Sequence, residues 1–289
     1  MTSISQLMDS LTKGDGLNQT YHDCVKIYKA SKYVPPGPLI YQQGIIIVGQ
    51  GNKVIHVGEQ TYRYNPNSYL VVSVPIPAEC ETFGSPKEPF ICMSIDIDMK
   101  VLNNVIDTMH QHRMTHSFKD FDQSQSLFVT NSTKDFNAIV VRLLHSLKCP
   151  VESTIVTPGI ISEIIYKIMC SENASALYAL TAQNTTISKI DKSLKQIHSE
   201  FNKSVNVEQL ANLSHMSISG FHRAFKEITS CSPIQYVKKV RLNKARNMLS
   251  DEKLKVNSVA RNVGYESVTQ FSREFKRYFG YPPSNLNQV

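Results

Sequence analysis

The chain has 289 residues, of which 41% are hydrophobic and 19% charged, and a net charge of +7. That is ordinary globular composition, long enough for about two domains. No apolar run approaches the ~18 residues of a membrane span. The opening "MTSISQLMDSLTKGDG" lacks the basic start and apolar middle of a secretory signal; the expected compartment is the cytoplasm.

Residues 17 to about 98 read as strands. "LIYQQGIIIVGQGNKVIHVGEQTYRYNPNSYLVVSV" carries β-branched and aromatic runs broken by Gly44, Gly49, Gly51, Gly58 and "NPNS" at 65–68. Short strands with frequent turns imply a small antiparallel barrel or sandwich, a β-rich domain over 1–98. Residues 99 to about 170 read as helical. "FNAIVVRLLHSL" (136–147) and "GIISEIIYKIMC" (159–170) repeat apolar residues at helical spacing, with Ile161, Ile164, Ile165 and Ile168 on one stripe. Pro158 suits the first turn of the second helix. The stripes fit a core or a dimer seam. "SENASALYALTAQNTT" (171–186) is small and polar and reads as a linker or a loosely packed joint. The region 99–185 is thus expected to be a helical dimerisation or connecting region ending in a linker. The six cysteines, Cys24, Cys80, Cys92, Cys149, Cys170 and Cys231, form no C-x-x-C pair; reduced, mostly buried thiols are expected.

From residue 186 onward there are 17 Lys+Arg against 8 Asp+Glu, or +9, while residues 1–185 sum to −2. Such asymmetry points to nucleic acid or an anionic membrane. The same third contains a duplication. A shift of 50 residues brings Ser217, Phe221, Arg223, Phe225, Lys226 and Pro233 onto Ser267, Phe271, Arg273, Phe275, Lys276 and Pro283. Upstream the shift is 49: Leu210, Ala211 and His215 meet Val259, Ala260 and Gly264. One residue inserted in a turn between two helices is the mark of a duplicated helix-turn-helix, over about 205–229 and 255–279.

Asn206 is placed to cap the first helix, with Gln209 three residues on. Ser217 and Ser267 are placed to cap the second helix of each copy. Phe221, Ala224, Phe225 and Ile228 form a buried face, as do Phe271, Phe275 and Phe279. The opposite face carries Ser219, Gly220, His222, Arg223 and Lys226 in copy one. In copy two it carries Val268, Thr269, Gln270, Arg273, Lys276 and Arg277. Short polar groups early and cations behind them suit a helix in a major groove, reading base edges and then holding phosphates. Between the copies, Val237, Val240, Ala245, Met248 and Leu249 stripe one continuous helix that spaces the two units.

With "VEQLANLSHMSISGFHRAFKEITSCSPIQYVKKVRLNKARNML" and "VNSVARNVGYESVTQFSREFKRYFGYPP", residues 187–286 resemble the DNA-binding domain of the AraC/XylS family of bacterial transcription regulators. "PLIYQQGIIIVGQGNKVIHVGEQTYRYNPNSYLVVSVPIP" resembles the cupin-like N-terminal arm of part of that family. The resemblance implies an α+β chain: a cupin-like β-barrel, then helices, then an all-α domain at 186–289 with two helix-turn-helix units joined by a long helix. It implies recognition residues Ser219, His222 and Arg223 in the first unit, and Ser267, Thr269, Gln270 and Arg273 in the second. The implied activity is that of a transcription activator. The implied partners are double-stranded promoter DNA, RNA polymerase, a small-molecule effector and a second copy of the chain, with no membrane. The family's turn glycine is kept at Gly264 and replaced by His215 in the first copy, a residue that tolerates the left-handed region.

The alternative is a metal-dependent cupin-type enzyme with a basic tail. It would need clustered His and carboxylate ligands. The strand region holds His56 near Glu59, with Glu79 and Glu81 further on; His112 and His116 are four apart without an evident third ligand. No GxSxG, P-loop or HExxH motif occurs, so no catalytic residue, cofactor or metal is expected.

Overall fold

The computed structural model describes residues 3–112, 114, 126–171, 174–182, 185–251 and 254–288. Two compact units emerge. One comprises Met1–Pro36, Gln42–Val74 and Cys80–Ser188; the other comprises Gly37–Tyr41, Pro75–Glu79 and Lys189–Val289.

The first unit opens with helix α1 (Ile4–Asp9), closed by a capping box between Ser3 and Gln6. Strands follow: β1 (Gly16–Gln19), β2 (Val25–Ala30), β3 (Val34–Tyr41), β4 (Gly44–Gln50), β5 (Asn52–Val57), β6 (Gln60–Tyr64), β7 (Ser68–Val72), β8 (Ile76–Phe83) and β9 (Phe90–Asp96). Then come α2 (Met99–Gln111), β10 (Leu127–Asn131), α3 (Lys134–Ser146), α4 (Pro150–Ile155), α5 (Thr157–Met169) and α6 (Ser175–Thr181). Six strands form a sheet in the order β1-β2-β9-β4-β7-β10, and four form another in the order β3-β8-β5-β6. Neighbours in the first sheet are antiparallel.

Strand β4 lies inside the larger sheet, with Ile45 opposite Val71 on one side and Ile95 on the other. Ile45, Ile46, Ile47 and Val48 are all buried, so the strand reads as an unbroken apolar run. Helix α1 buries Leu7 and Met8. It approaches β4 so closely that a Cβ at Gly49 would lie 2.6 Å from Met8 Sδ. Further on, Thr133 caps α3, its Oγ1 accepting from Phe136 N at 3.1 Å. The Phe136 ring stacks on Tyr69 of β7, centroids 4.4 Å apart. Pro158 lies in the first turn of α5, and Ile160, Ile161, Ile164, Ile165 and Ile168 are buried. Each fully buried side chain of this size contributes roughly 1.5–3 kcal/mol.

Three expectations need correction. The stretch expected to be helical contains a strand: β10 pairs antiparallel with β7, Leu127 opposite Val72, and covers an edge that would otherwise leave backbone N–H and C=O groups unpaired. Within the expected linker, α6 forms and buries Ala176, Leu177, Ala179 and Leu180; its small side chains let it pack closely. The cysteines are all free, but only Cys92 and Cys231 are buried, and Cys170 is exposed.

The second unit contains most of α7 (Thr186–Ser199), which spans the boundary, then α8 (Val207–Leu213), α9 (Ile218–Thr229), α10 (Pro233–Asp251), α11 (Val256–Asn262) and α12 (Val268–Phe279). A short 3-10 turn, Pro283–Gln288, follows. The spacer between the copies is one continuous helix, α10. It buries Val237, Val240, Ala245 and Leu249, whereas Met248 is half-buried.

Candidate nucleic-acid interface

The two copies fold into equivalent turns. Met216 N donates to Ala211 O at 3.0 Å in the first, and Tyr265 N donates to Ala260 O at 2.9 Å in the second. The residue before each donor has positive φ: 52° at His215 and 83° at Gly264. The extra residue of the second copy is therefore Glu266. Asn206 caps α8, accepting from Glu208 N and Gln209 N at 2.9 and 3.3 Å. Ser217 Oγ accepts from Gly220 N at 3.2 Å, and Ser267 Oγ from Gln270 N at 3.3 Å. At the far ends Ser230 and Gly280 take left-handed φ of 58° and 87° and donate to Lys226 O and Lys276 O. Two helices of equal length thus start and stop at matching points.

Aromatic packing sets the face each helix presents. Phe221, Ala224, Phe225 and Ile228 of α9 are buried, with Phe225 edge-on to Tyr236 of α10 at 5.4 Å. Phe271 and Phe275 of α12 are fully buried among Leu242, Ala245, Leu249, Val259, Ala260 and Val263. Phe279 is only partly buried against that core.

Burying those rings leaves the opposite faces in solvent. Ser219, His222, Arg223 and Lys226 are exposed, at i, i+3, i+4 and i+7 of α9. Thr269, Gln270, Arg273, Lys276 and Arg277 are exposed on one face of α12. Ser267 is exposed, but its oxygen is engaged as the helix cap. Two residues expected on the exposed faces are not fully there. Gly220 is half-buried, and Val268 packs against the second core, whereas Ile218, at the same position of α9, is exposed.

A residue absent from the expected set is Glu274, which is buried although charged. It accepts from Tyr265 Oη at 2.9 Å, Lys238 Nζ at 3.3 Å and Gln270 Nε2 at 3.3 Å. Burial raises its pKa, but Gln270, Tyr265 and Lys238 outweigh this and hold the carboxyl below its usual range. The bond from Gln270 fixes that amide on the exposed face. The signal was present in the sequence: Glu274 falls three residues after Phe271, in helical phase with the core.

Of the residues that raised the enzyme alternative, His56 lies on β5, its Nδ1 2.9 Å from Thr61 Oγ1 on β6. His116 lies outside the described residues. Among the described residues no three His, Cys, Asp or Glu side chains come together as a metal site, and no helix is long and apolar enough to cross a membrane.

A strand-rich unit followed by two capped helix-turn-helix units on one spacer helix defines a double helix-turn-helix DNA-binding protein. The family model for the AraC-type transcriptional regulator N-terminus matches residues 22–176, and a helix-turn-helix domain model matches residues 210–288. The first match alone spans more than half of the sequence, and the chain belongs to the AraC-type transcriptional regulators. It is 26% identical over 126 residues to the Msm operon regulatory protein of Streptococcus mutans, covering 43% of this chain and 45% of that one. It is 37% identical over 82 residues to the RCS-specific HTH-type transcriptional activator RclR of Escherichia coli, covering 28% and 29%. The matched segments therefore span less than half of these curated relatives. Among solved structures, ToxT from Vibrio cholerae with unsaturated fatty acid bound superposes with a TM-score of 0.63 at 12% identity, over 90% of this chain and 93% of that one. This likeness is one of fold.

Proposed function

We propose that the chain activates transcription by placing α9 and α12 in major grooves of promoter DNA. Ser219, His222 and Arg223, and Thr269, Gln270 and Arg273, read base edges; Lys226, Lys276 and Arg277 hold phosphates. Ser267 orients α12 through its cap. The observation that carries this reading is the matched exposure of these side chains on two helices whose aromatic faces are buried at equivalent positions. Arg suits bidentate contact to guanine, and Gln to adenine. The N-terminal unit takes a small-molecule effector or a second copy of the chain, and RNA polymerase is the further partner; the cytoplasm is the setting. Relatives named as activators, and a structure of the same fold solved with a fatty acid, support this.

The test is affinity of the full chain for duplexes that it selects from a random pool. Sequence-selective binding is expected, and uniform weak binding to all duplexes would sink the proposal. Arg273→Ala is expected to cost about 1–3 kcal/mol and to relax selectivity at one base pair. An equal loss on every duplex would make Arg273 a phosphate contact instead.

A further inference from the structure

Arg241 lies in the middle of α10, and each of its three guanidinium nitrogens donates to a backbone carbonyl. Nε donates to Phe201 O at 2.7 Å, Nη2 to Lys203 O at 2.7 Å and Nη1 to Gly264 O at 3.1 Å. Phe201 and Lys203 belong to the segment between α7 and α8, which leads into the first helix-turn-helix. Gly264 is the turn of the second. One side chain of the spacer thus ties both units to itself, with a planar fork of donors that lysine cannot reproduce.

The tie is reinforced around it. The segment entering the first unit and the turn of the second meet at this point, since a Cβ on Gly264 would lie 2.3 Å from Asn202 O. From the turn the path runs into the recognition helix: Tyr265 Oη donates to Glu274 of α12, and Lys238, one turn before Arg241 on α10, donates to the same carboxylate. The first copy has Met216 and Ala224 where the second has Tyr265 and Glu274. Its recognition helix lacks these two polar groups and packs with Ala224 buried in the apolar face. The polar path is therefore a feature of the second copy, and Arg241 joins it to the entry of the first.

We propose that Arg241 is a positioning residue that fixes the spacing and rotational phase of α9 and α12, so that one chain engages two successive major grooves of one duplex. The proposal rests on the two-helix DNA reading above and adds what holds the two helices in register. It does not require Arg241 to touch DNA.

The experiment uses the full chain, as wild type and as R241K, on three duplexes. One is selected by the wild type from a random pool. The second has one half of that site scrambled, and the third has two base pairs inserted between the halves, a rotation of about 70°. Wild type is expected to lose at least about tenfold in affinity on either altered duplex. R241K should bind the selected duplex at least about tenfold more weakly than wild type, yet match wild type within about twofold on the half-scrambled one. It should also respond little to the insertion. Y265F, which removes only the hydroxyl between turn and Glu274, should move the same way by a smaller factor, and decides the matter if R241K unfolds below the assay temperature. Equal losses on all three duplexes, or full spacing dependence retained by both variants, would overturn the proposal and leave DNA reading intact. A wild-type chain indifferent to scrambling one half would overturn the two-helix reading itself.

Discussion

His215 and Gly264 occupy the same point of two duplicated turns and reach it at different cost. At His215 a left-handed φ of 52° strains a residue with a Cβ. His215→Gly relieves that strain but adds freedom to the unfolded chain, and is expected to stabilise by up to about 1 kcal/mol. Gly264 has no such latitude, because its missing Cβ is what lets Asn202 O approach. Gly264→Ala is expected to cost about 2–4 kcal/mol in urea unfolding. His198 offers a different test. Its Nε2 lies 2.8 Å from Tyr236 Oη. Burial, and then the Lys244 charge, pushes its pKa down from 6.5 to about 4. As pH falls below 6.5 the unfolded chain takes up a proton that the folded chain refuses, so stability is present above that pH and is lost on acidification. About 2 kcal/mol should disappear between pH 7 and pH 5, and His198→Gln should flatten that slope. Glu274 shows where sequence reading falls short at this scale. Its helical phase with Phe271 marks it as facing the core, but only the fold brings Tyr265 and Lys238 to it.

Helices α9 and α12 were legible because their determinants are local. A serine cap, rings four residues apart and a left-handed residue at the end all lie within one short window. Phe225 and Phe275 hold equivalent places at the centre of the two buried faces. Phe225→Ala or Phe275→Ala is expected to cost about 3–5 kcal/mol by thermal unfolding, and an unchanged midpoint would contradict the packing. The elements that escaped notice depend on distant partners. "LFVTN" is five residues long and becomes β10 only because β7 offers an open edge. "SALYALT" carries no strong amphipathic period, and α6 is defined by what covers its alanines. The pairing of strands into sheets of six and four was likewise not readable, since register between distant segments leaves no mark on either one.

Across the whole molecule the charge is segregated, +9 from residue 186 onward against −2 before it. Affinity for DNA should therefore fall steeply with salt, and Lys276→Ala should reduce the slope of log K against log salt by about 0.9 if Lys276 holds one phosphate. An unchanged slope would remove Lys276 from the interface. The order of the larger sheet has a practical consequence. Its final strand is translated some 55 residues after the strand it covers, Leu127 opposite Val72. A chain cut at residue 98 would retain every strand through β9 but expose the edge of "SYLVV", whose five residues are all buried in the intact unit. Such a fragment would present a sticky template to its own copies and be prone to aggregation. On the ribosome the same edge stays open until residue 131 has emerged, which makes the interval between β9 and β10 the stretch of synthesis at which a holding chaperone would matter most.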